Sequence, residues 1–472
     1  MSESSDKFRV IIAGAGIAGL ATAISLKRIS SIPNLDVQLY EQADQLLEIG
    51  ASIALSPNGM RTLEKLGVDN ALSDEVGFRG PSGIPQIFRH WKTNQVISVD
   101  THTDVPDPRH HTTRFHRGHL HAALLEHVPK EAVHLGKKII HADVSHEGVS
   151  LHFEDGTRAF GHILIGADGI RSKVRQSFIP EYRLRFSGKI FMRSTFDASL
   201  VEERIPNLPA DSLHWWGPED NFFASRLGKG QYTTVGAYSD PRSSEELERN
   251  VGWDQKGDVK FLRERYKASH VNMSLFEVQI LTSYMQDWNP LIQALTEATP
   301  YTNLYPNFAG DALDTWIFSS RVVLVGDAAH AHGGAFAAGG SLALDDAFAL
   351  GLAFKHVVKF CHGTPQLSLD NVKKALELYA NTRKPHTDRL LRIVHNQIGT
   401  KPTSSGTLEE DAKLVSRMKN RPDTVWLSEH DVEAAMTASI VQSEVHDVKA
   451  LEREPENQGR LGSTVRSEWG KF

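Results

Sequence analysis

The stretch from Phe8 to Gln42 constrains this chain more than any other. It reads Phe8-Arg9-Val10-Ile11-Ile12, then Ala13-Gly14-Ala15-Gly16-Ile17-Ala18-Gly19-Leu20, then an alanine-rich segment from Leu20 to Ile29, then Val37-Gln38-Leu39-Tyr40-Glu41-Gln42. A β-branched run, a Gly-x-Gly-x-x-Gly turn, a helix and a second strand predict a βαβ unit that binds a dinucleotide. Gly14 permits the tight turn, Gly16 lets backbone approach a pyrophosphate, and Gly19 lets helix and strand pack closely. The helix start presents unpaired N–H groups and a positive dipole end to phosphates. Glu41 ends the second strand about twenty residues on, where an acidic side chain binds ribose hydroxyls.

A chain of 472 residues has room for two domains around such a unit. The formal charge of −6 supplies no basic field for nucleic acid or an anionic membrane surface. One cysteine, Cys361, excludes an intrachain disulfide and fits a reducing compartment. The polar start Met1 to Lys7 is not a signal peptide, and no apolar run approaches the ~18 residues that span a bilayer. The expectation is a cytoplasmic enzyme, monomer or homodimer, acting on a small molecule.

Further along, small residues crowd Gly50 to Gly59, where Asn58 or Ser56 is expected to cap a helix from Met60 to Leu66. Gln86 to Trp91 and Val96 to Val99 alternate around a turn and predict a β-hairpin outside the nucleotide domain. Arg114 to His121 holds three histidines before a helix from Leu120 to Val128. They share no clean face and have no cysteine nearby, so a metal site is not expected. Arg117, a cation at that helix start, suits a phosphate or ribityl oxygen. Short strands then alternate from Val133 to Ile165, with Glu154-Asp155-Gly156 as a hairpin turn. The apolar run Ile163-Leu164-Ile165 ends at Gly166-Ala167-Asp168-Gly169, where Asp168 taken alone reads as a helix N-cap. Tyr182 to Val278 is rich in aromatics and strand-like runs, a suitable sheet wall for an apolar ring. Arg193 is a cation within one of its apolar strands. Arg321 to His330 repeats the strand, glycine and acid pattern, and Gly333 to Gly340 leads into a helix from Ser341 to Phe360. A helical stretch from Val372 to Gln397 is expected to break near Arg383 because of Pro385. The polar tail after Thr400 predicts one helix, Glu429 to Ser443, and an exposed or disordered last twenty residues.

Taken together, Gly14-Ala15-Gly16-Ile17-Ala18-Gly19, Gly166-Ala167-Asp168-Gly169-Ile170-Arg171-Ser172 and Gly326-Asp327-Ala328-Ala329-His330-Ala331 resemble the group A flavoprotein monooxygenases, the para-hydroxybenzoate and salicylate hydroxylase family. The likeness extends through Arg117, Asp345-Asp346-Ala347 and Trp426 to Val432, and is nearest to the fungal salicylate-hydroxylase-like branch. It implies an α/β fold: a glutathione-reductase-like, doubly wound FAD-binding domain (1–79, 104–180 and 279–362), an inserted mixed-sheet substrate domain (80–103 and 181–278), and a C-terminal helical region and tail (363–472).

The resemblance also implies non-covalent FAD, with NAD(P)H and O₂ as co-substrates. Gly14, Gly16, Gly19 and Glu41 would hold the ADP half, and Ala54 and Arg117 would lie near the ribityl and phosphate region. Asp168 would support the middle motif, Asp327 would bind ribityl or pyrophosphate, and Gly340 would present backbone N–H to the ring system. The implied reaction is hydroxylation, with or without dearomatisation, of a phenolic or polyketide-derived ring through a flavin hydroperoxide. Arg193 matches the position of a phenolate-binding arginine, and Arg226 on the next predicted strand is a second candidate. Epoxidation of an indole alkaloid or other electron-rich alkene, and a flavin-binding protein without turnover, are the alternatives. The family pattern carries a proline and Gly-x-Gly after the histidine, whereas this chain reads Gly333-Gly334-Ala335-Phe336-Ala337-Ala338-Gly339, so loop shape and substrate identity do not carry over.

Overall fold

The first strand, Phe8–Ala13, lies between Ile163–Gly166 and Leu35–Tyr40, all parallel, because its apolar run from Val10 to Ala13 suits burial on both faces. The computed structural model describes residues 7–46, 51–250, 255–267, 288–359, 367–397 and 408–453. Cys361, Phe360, Val278 and the residues beyond 453 lie outside the described residues. The sheet extends to Val322–Leu324 on one side and Val133–His134 on the other. The ends of Phe8–Ala13, Ile163–Gly166 and Val322–Leu324 therefore carry the three glycine motifs side by side. Helix Ile17–Arg28 packs against the long helix Gly339–Lys359, and both are buried along most of their length.

A second sheet of eight strands holds the hairpin Ile87–His90 and Val96–Val99 at one edge and the central pair Leu184–Asp197 and Gln231–Ser239. Side chains alternate between its faces. One face carries Met192, Trp215 and Phe222 and packs on Leu262, Tyr266, Trp288, Ile292 and Leu295. The other carries Phe191, Arg193 and Thr233, and Thr233 Oγ1 donates to Ser52 Oγ (3.2 Å) across to the nucleotide-binding layers. Helix Pro290–Ala298 and strand Asn303–Gly310 belong to this second unit by packing and pairing, although sequence reasoning assigned them to the FAD-binding domain. A strand that arrives from a distant part of the chain, here between Gln255–Lys256 and Leu184–Asp197, leaves no local signature.

Three local expectations are corrected. Asn58 caps nothing: helix Pro57–Lys65 starts at Ser56 without a side-chain cap, and Asn58 Nδ2 instead donates to Asp345 Oδ2 (2.7 Å). Pro385 lies within one helix, Leu369–Gln397. Buried Leu376 and Tyr379 before it, and Leu390 and Val394 after it, hold the helix on both sides. The polar tail forms three helices, Leu408–Lys419, Val425–Ser428 and Val432–Arg453, anchored by buried Leu414, Met418, Leu427 and Met436.

The strongest tie is a buried charge cluster at Asp345 and Asp346. Asp346 Oδ2 accepts from Gly326 N (2.8 Å) and His330 Nε2 (2.6 Å), and Oδ1 accepts from Arg383 Nε (2.9 Å). Asp345 accepts from Asn58 Nδ2 and Thr62 Oγ1 (2.9 Å). Burial pushes the Asp345 carboxyl above the usual carboxylate range. Burial acts the same way on Asp346, but His330 and Arg383 outweigh it and hold that carboxyl below the range. Asp346 therefore adds stability above the unfolded carboxylate pKa of about 4 and loses it as pH falls, whereas Asp345 acts in the opposite sense. Asp346→Asn should cost about 3–5 kcal/mol, because Arg383 loses its hydrogen-bonded ionic partner inside the protein and keeps only the more distant Asp345 (3.7 Å). Asp345→Asn should cost clearly less. Urea unfolding of both variants tests this; equal losses would remove the asymmetry.

Candidate active site

Each glycine of the first motif has its own steric reason. Gly14 sits at φ +94°, and a Cβ there would lie 2.7 Å from Ala167 O. A Cβ on Gly19 would meet Gly14 O at 2.0 Å, so helix and turn could not close. A Cβ on Gly16 would meet nothing within 4 Å: it would project into open space at the start of helix Ile17–Arg28. Space for a ligand, flanked by helix N–H groups, is the geometry a pyrophosphate requires. Glu41 reaches back into this turn, accepting from Ala15 N (2.9 Å) and Ala43 N (3.0 Å), which leaves lone pairs for ribose hydroxyls.

Asp168 accepts from Ser172 Oγ (2.5 Å), Lys173 N (2.7 Å) and Val174 N (3.0 Å), and burial raises its carboxyl above the usual value despite them. It organises the start of helix Lys173–Phe178, whose N-cap residue is Ser172. Arg175, fully buried, donates to Ile170 O (2.5 Å) and Ala328 O (2.8 Å) and so ties the second motif to the third. Asp327 is exposed on that third turn, 4.0 Å from where a Cβ on Gly339 would stand.

Ala54 lies buried in strand Ser52–Leu55, which pairs with Thr113–His116, and Arg117 opens the next helix with its N–H on Ala51 O (2.8 Å). The histidines there have local tasks. His116 Nδ1 accepts from Gly118 N, His121 Nε2 donates to Ala15 O (2.7 Å), and His119 packs on His116. Among the described residues no group of three His, Cys, Asp or Glu is placed to hold a metal ion. Gly340 has a packing reason as well, since a Cβ would lie 2.8 Å from both Ile53 and Leu55.

The glycine-rich loop is conformationally costly. Phe336 and Ala337 both adopt left-handed backbone, φ +53° and +52°, at about 1–3 kcal/mol each for non-glycine residues. Phe336 packs with Leu342, Leu390, Val394 and Leu427, contacts that offset part of that cost. Arg193 meets the loop from the second sheet: a Cβ on Gly334 would lie 3.6 Å from Arg193 Nη2 and 3.4 Å from the Phe191 ring. The guanidinium packs against the rings of Phe191 (5.2 Å) and Tyr305 (5.3 Å). Its Nε is buried without a partner, and among the described residues no carboxylate pairs with it. Burial lowers its pKa; Tyr305 counteracts this and the neighbouring Arg117 adds to it.

Arg226 is not part of this arrangement. Strand Gln231–Ser239 separates its strand from that of Arg193, and its guanidinium is committed to Glu202 Oε1 (2.5 Å). Sequence reasoning missed Phe191, Tyr305 and Asn307, which reach the site through strand pairing alone. Arg175, three residues past the second motif, was given no role in the sequence.

The open cradle at Gly16, the ribose-side carboxylate Glu41 and the exposed Asp327 beside the start of helix Gly339–Lys359 fit FAD. No family model matches the chain. It is 26% identical over 470 residues to a salicylate hydroxylase of Pseudomonas putida, covering 96% of this chain and 99% of that one. It is 26% identical over 452 residues to a 6-methylsalicylate 1-monooxygenase of Aspergillus terreus, covering 89% and 90%. Among solved structures, HpxO of Klebsiella pneumoniae complexed with FAD and uric acid superposes with a TM-score of 0.66 at 20% identity, over 92% of this chain and 97% of that one. With its three motifs in place, the chain is similar over most of its length to a hydroxylase and a monooxygenase of aromatic rings.

Gly16→Leu should abolish FAD retention while leaving the melting temperature of the apoprotein within a few degrees of wild type. Gly19→Leu should lower both. The visible flavin absorbance of purified protein and a thermal melt read the two effects separately.

Proposed function

We propose that this enzyme hydroxylates a phenolic ring held as its phenolate by Arg193. The supporting observation is a sheltered guanidinium that pairs with no carboxylate among the described residues and faces the loop at Gly334. A buried cation without an anion is unfavourable, so an anionic ligand oxygen there relieves the site and is itself stabilised. Bound FAD, reduced by NAD(P)H, supplies the oxygen-transfer chemistry. The chain's own residues do the remainder. Gly14, Gly16, Gly19 and Glu41 hold the ADP half, with Asp168 fixing the adjoining turn. Ala54, Arg117 and Asp327 border the ribityl and phosphate region, and Gly340 brings a helix start close to the ring system. Arg193 lowers the pKa of the substrate hydroxyl and raises electron density on the ring carbons, while Phe191 and Tyr305 shield that charge from water.

The salicylate and 6-methylsalicylate of the two relatives are phenols that also carry a carboxylate, and the same site suits a polyketide-derived phenol of secondary metabolism. Among the described residues no helix is long and apolar enough to cross a membrane. We place the enzyme in the cytoplasm, where NAD(P)H is supplied.

A cation beside the phenol favours its ionised form, so wild-type turnover of a phenol should stay high well below the free phenol pKa of about 10. In Arg193→Met, kcat/KM should fall by about 10²–10³ at neutral pH and recover as pH rises toward that pKa, with FAD content unchanged. The readout is NADPH oxidation across a pH series with salicylate and substituted phenols. An unchanged pH profile in Arg193→Met would exclude the role.

A further inference from the structure

We propose that Asn307 is a positioning residue, which clamps the flavin-facing loop to the substrate sheet and sets the spacing between a ring held at Arg193 and the cofactor. The proposal rests on the reading above, that residues 333–340 border bound FAD. Asn307 Oδ1 accepts the backbone N–H of Gly334 (2.8 Å), and Asn307 Nδ2 donates to Ser187 Oγ (2.8 Å), which fixes the amide's orientation from the far side. The approach is close enough that a Cβ on Gly333, itself at φ +68°, would lie 2.7 Å from Asn307 Oδ1. Three residues further along the same strand, Gly310 N donates to Ala331 O (2.7 Å), a second stitch between strand Asn303–Gly310 and the chain entering the loop.

The position of this clamp gives it consequences for the site. Tyr305 lies two residues before Asn307 on the same sheet face, and its ring flanks Arg193. One strand thus carries both a wall of the cation site and the anchor of the loop. Beyond Gly334 the loop passes through left-handed Phe336 and Ala337, a conformation that persists only where both ends are held. The far end is held by the helix start at Gly339 and by Phe336 in its apolar cluster. Asn307 holds the near end. Gly334 has φ −83°, a value close to that of proline, yet here its N–H is needed as a donor.

The test uses purified protein and FAD, with three readouts: the FAD dissociation constant, the visible circular dichroism of the bound flavin, and quenching of its fluorescence by iodide. Asn307→Ala should raise the FAD dissociation constant about three- to tenfold, the size of one hydrogen bond, change the visible dichroism and increase iodide quenching. Gly334→Pro alone should do at least as much, because the ring carbon on nitrogen would fall against Asn307 Oδ1. Asn307→Ala combined with Gly334→Pro should return all three readouts toward wild type, since proline restricts the same backbone without needing the amide. Asn307→Ala that lowers thermal stability but leaves the flavin signals at wild-type values would overturn the proposal. So would strictly additive effects in the double variant. Wild-type protein that fails to bind FAD would instead sink the underlying reading of the site, a separate result.

Discussion

The carboxylate of Asp346, shut away from water in the first turns of helix Gly339–Lys359, is the contact on which the architecture depends. Gly326 N, His330 and Arg383 converge on it, and adjacent Asp345 takes Asn58 and Thr62. One dipeptide therefore fastens the third glycine motif, the helix after the first motif's sheet, and the C-terminal helix Leu369–Gln397 to a single point. Removing these charges from water is expensive, and the ionic and hydrogen-bonded contacts among them offset part of that cost, although Arg383 Nη1 and Nη2 meet no hydrogen-bond partner among the described residues. The same helix begins at Gly339 and Gly340, so the charge cluster that orders its body also fixes where its N-terminus points.

The second constraint is the face of the eight-stranded sheet that looks toward the nucleotide-binding layers. Its opposite face is filled by Trp215, Phe222, Tyr266 and Trp288, which leaves no freedom of register. Arg193 is thereby carried to the glycine-rich loop on a strand hydrogen-bonded on both sides, to Val235 and Asn303. A cation on so rigid a support loses little entropy on meeting an anionic ligand, and the surrounding rings lower the local dielectric in which it acts. The low pKa of His332, about 4 because burial disfavours its charged form, adds a neutral imidazole to this region instead of a competing cation.

The motifs were legible because each is short and each glycine answers a clash within a few residues of itself or across one neighbouring strand. The helix N-cap reading of Asp168 was equally local, and the structure gives that carboxylate the hydrogen bonds at the start of a helix in addition to its place in the motif. Asn58 misled because a polar residue beside a helix start is usually a cap, whereas a buried aspartate nearly three hundred residues away offered a charge-assisted bond. The tail misled through its polarity: its few apolar positions, Leu414, Met418, Leu427 and Met436, are enough to dock it. Arg226 misled because strand adjacency in sequence is not adjacency in a sheet of this order.

By itself, the sequence determined the first βαβ unit, the three glycine turns at strand ends, and the presence of a strand-rich second unit. Those features rest on backbone geometry that a handful of residues imposes wherever they occur. Only the tertiary structure decided which arginine faces the site, that Asp345 and Asp346 serve as an internal anchor, and that Asn307 meets Gly334. Each of these is a pairing between residues far apart in the chain, and such pairings are selected by the summed packing of two sheets and several helices, which no local pattern encodes.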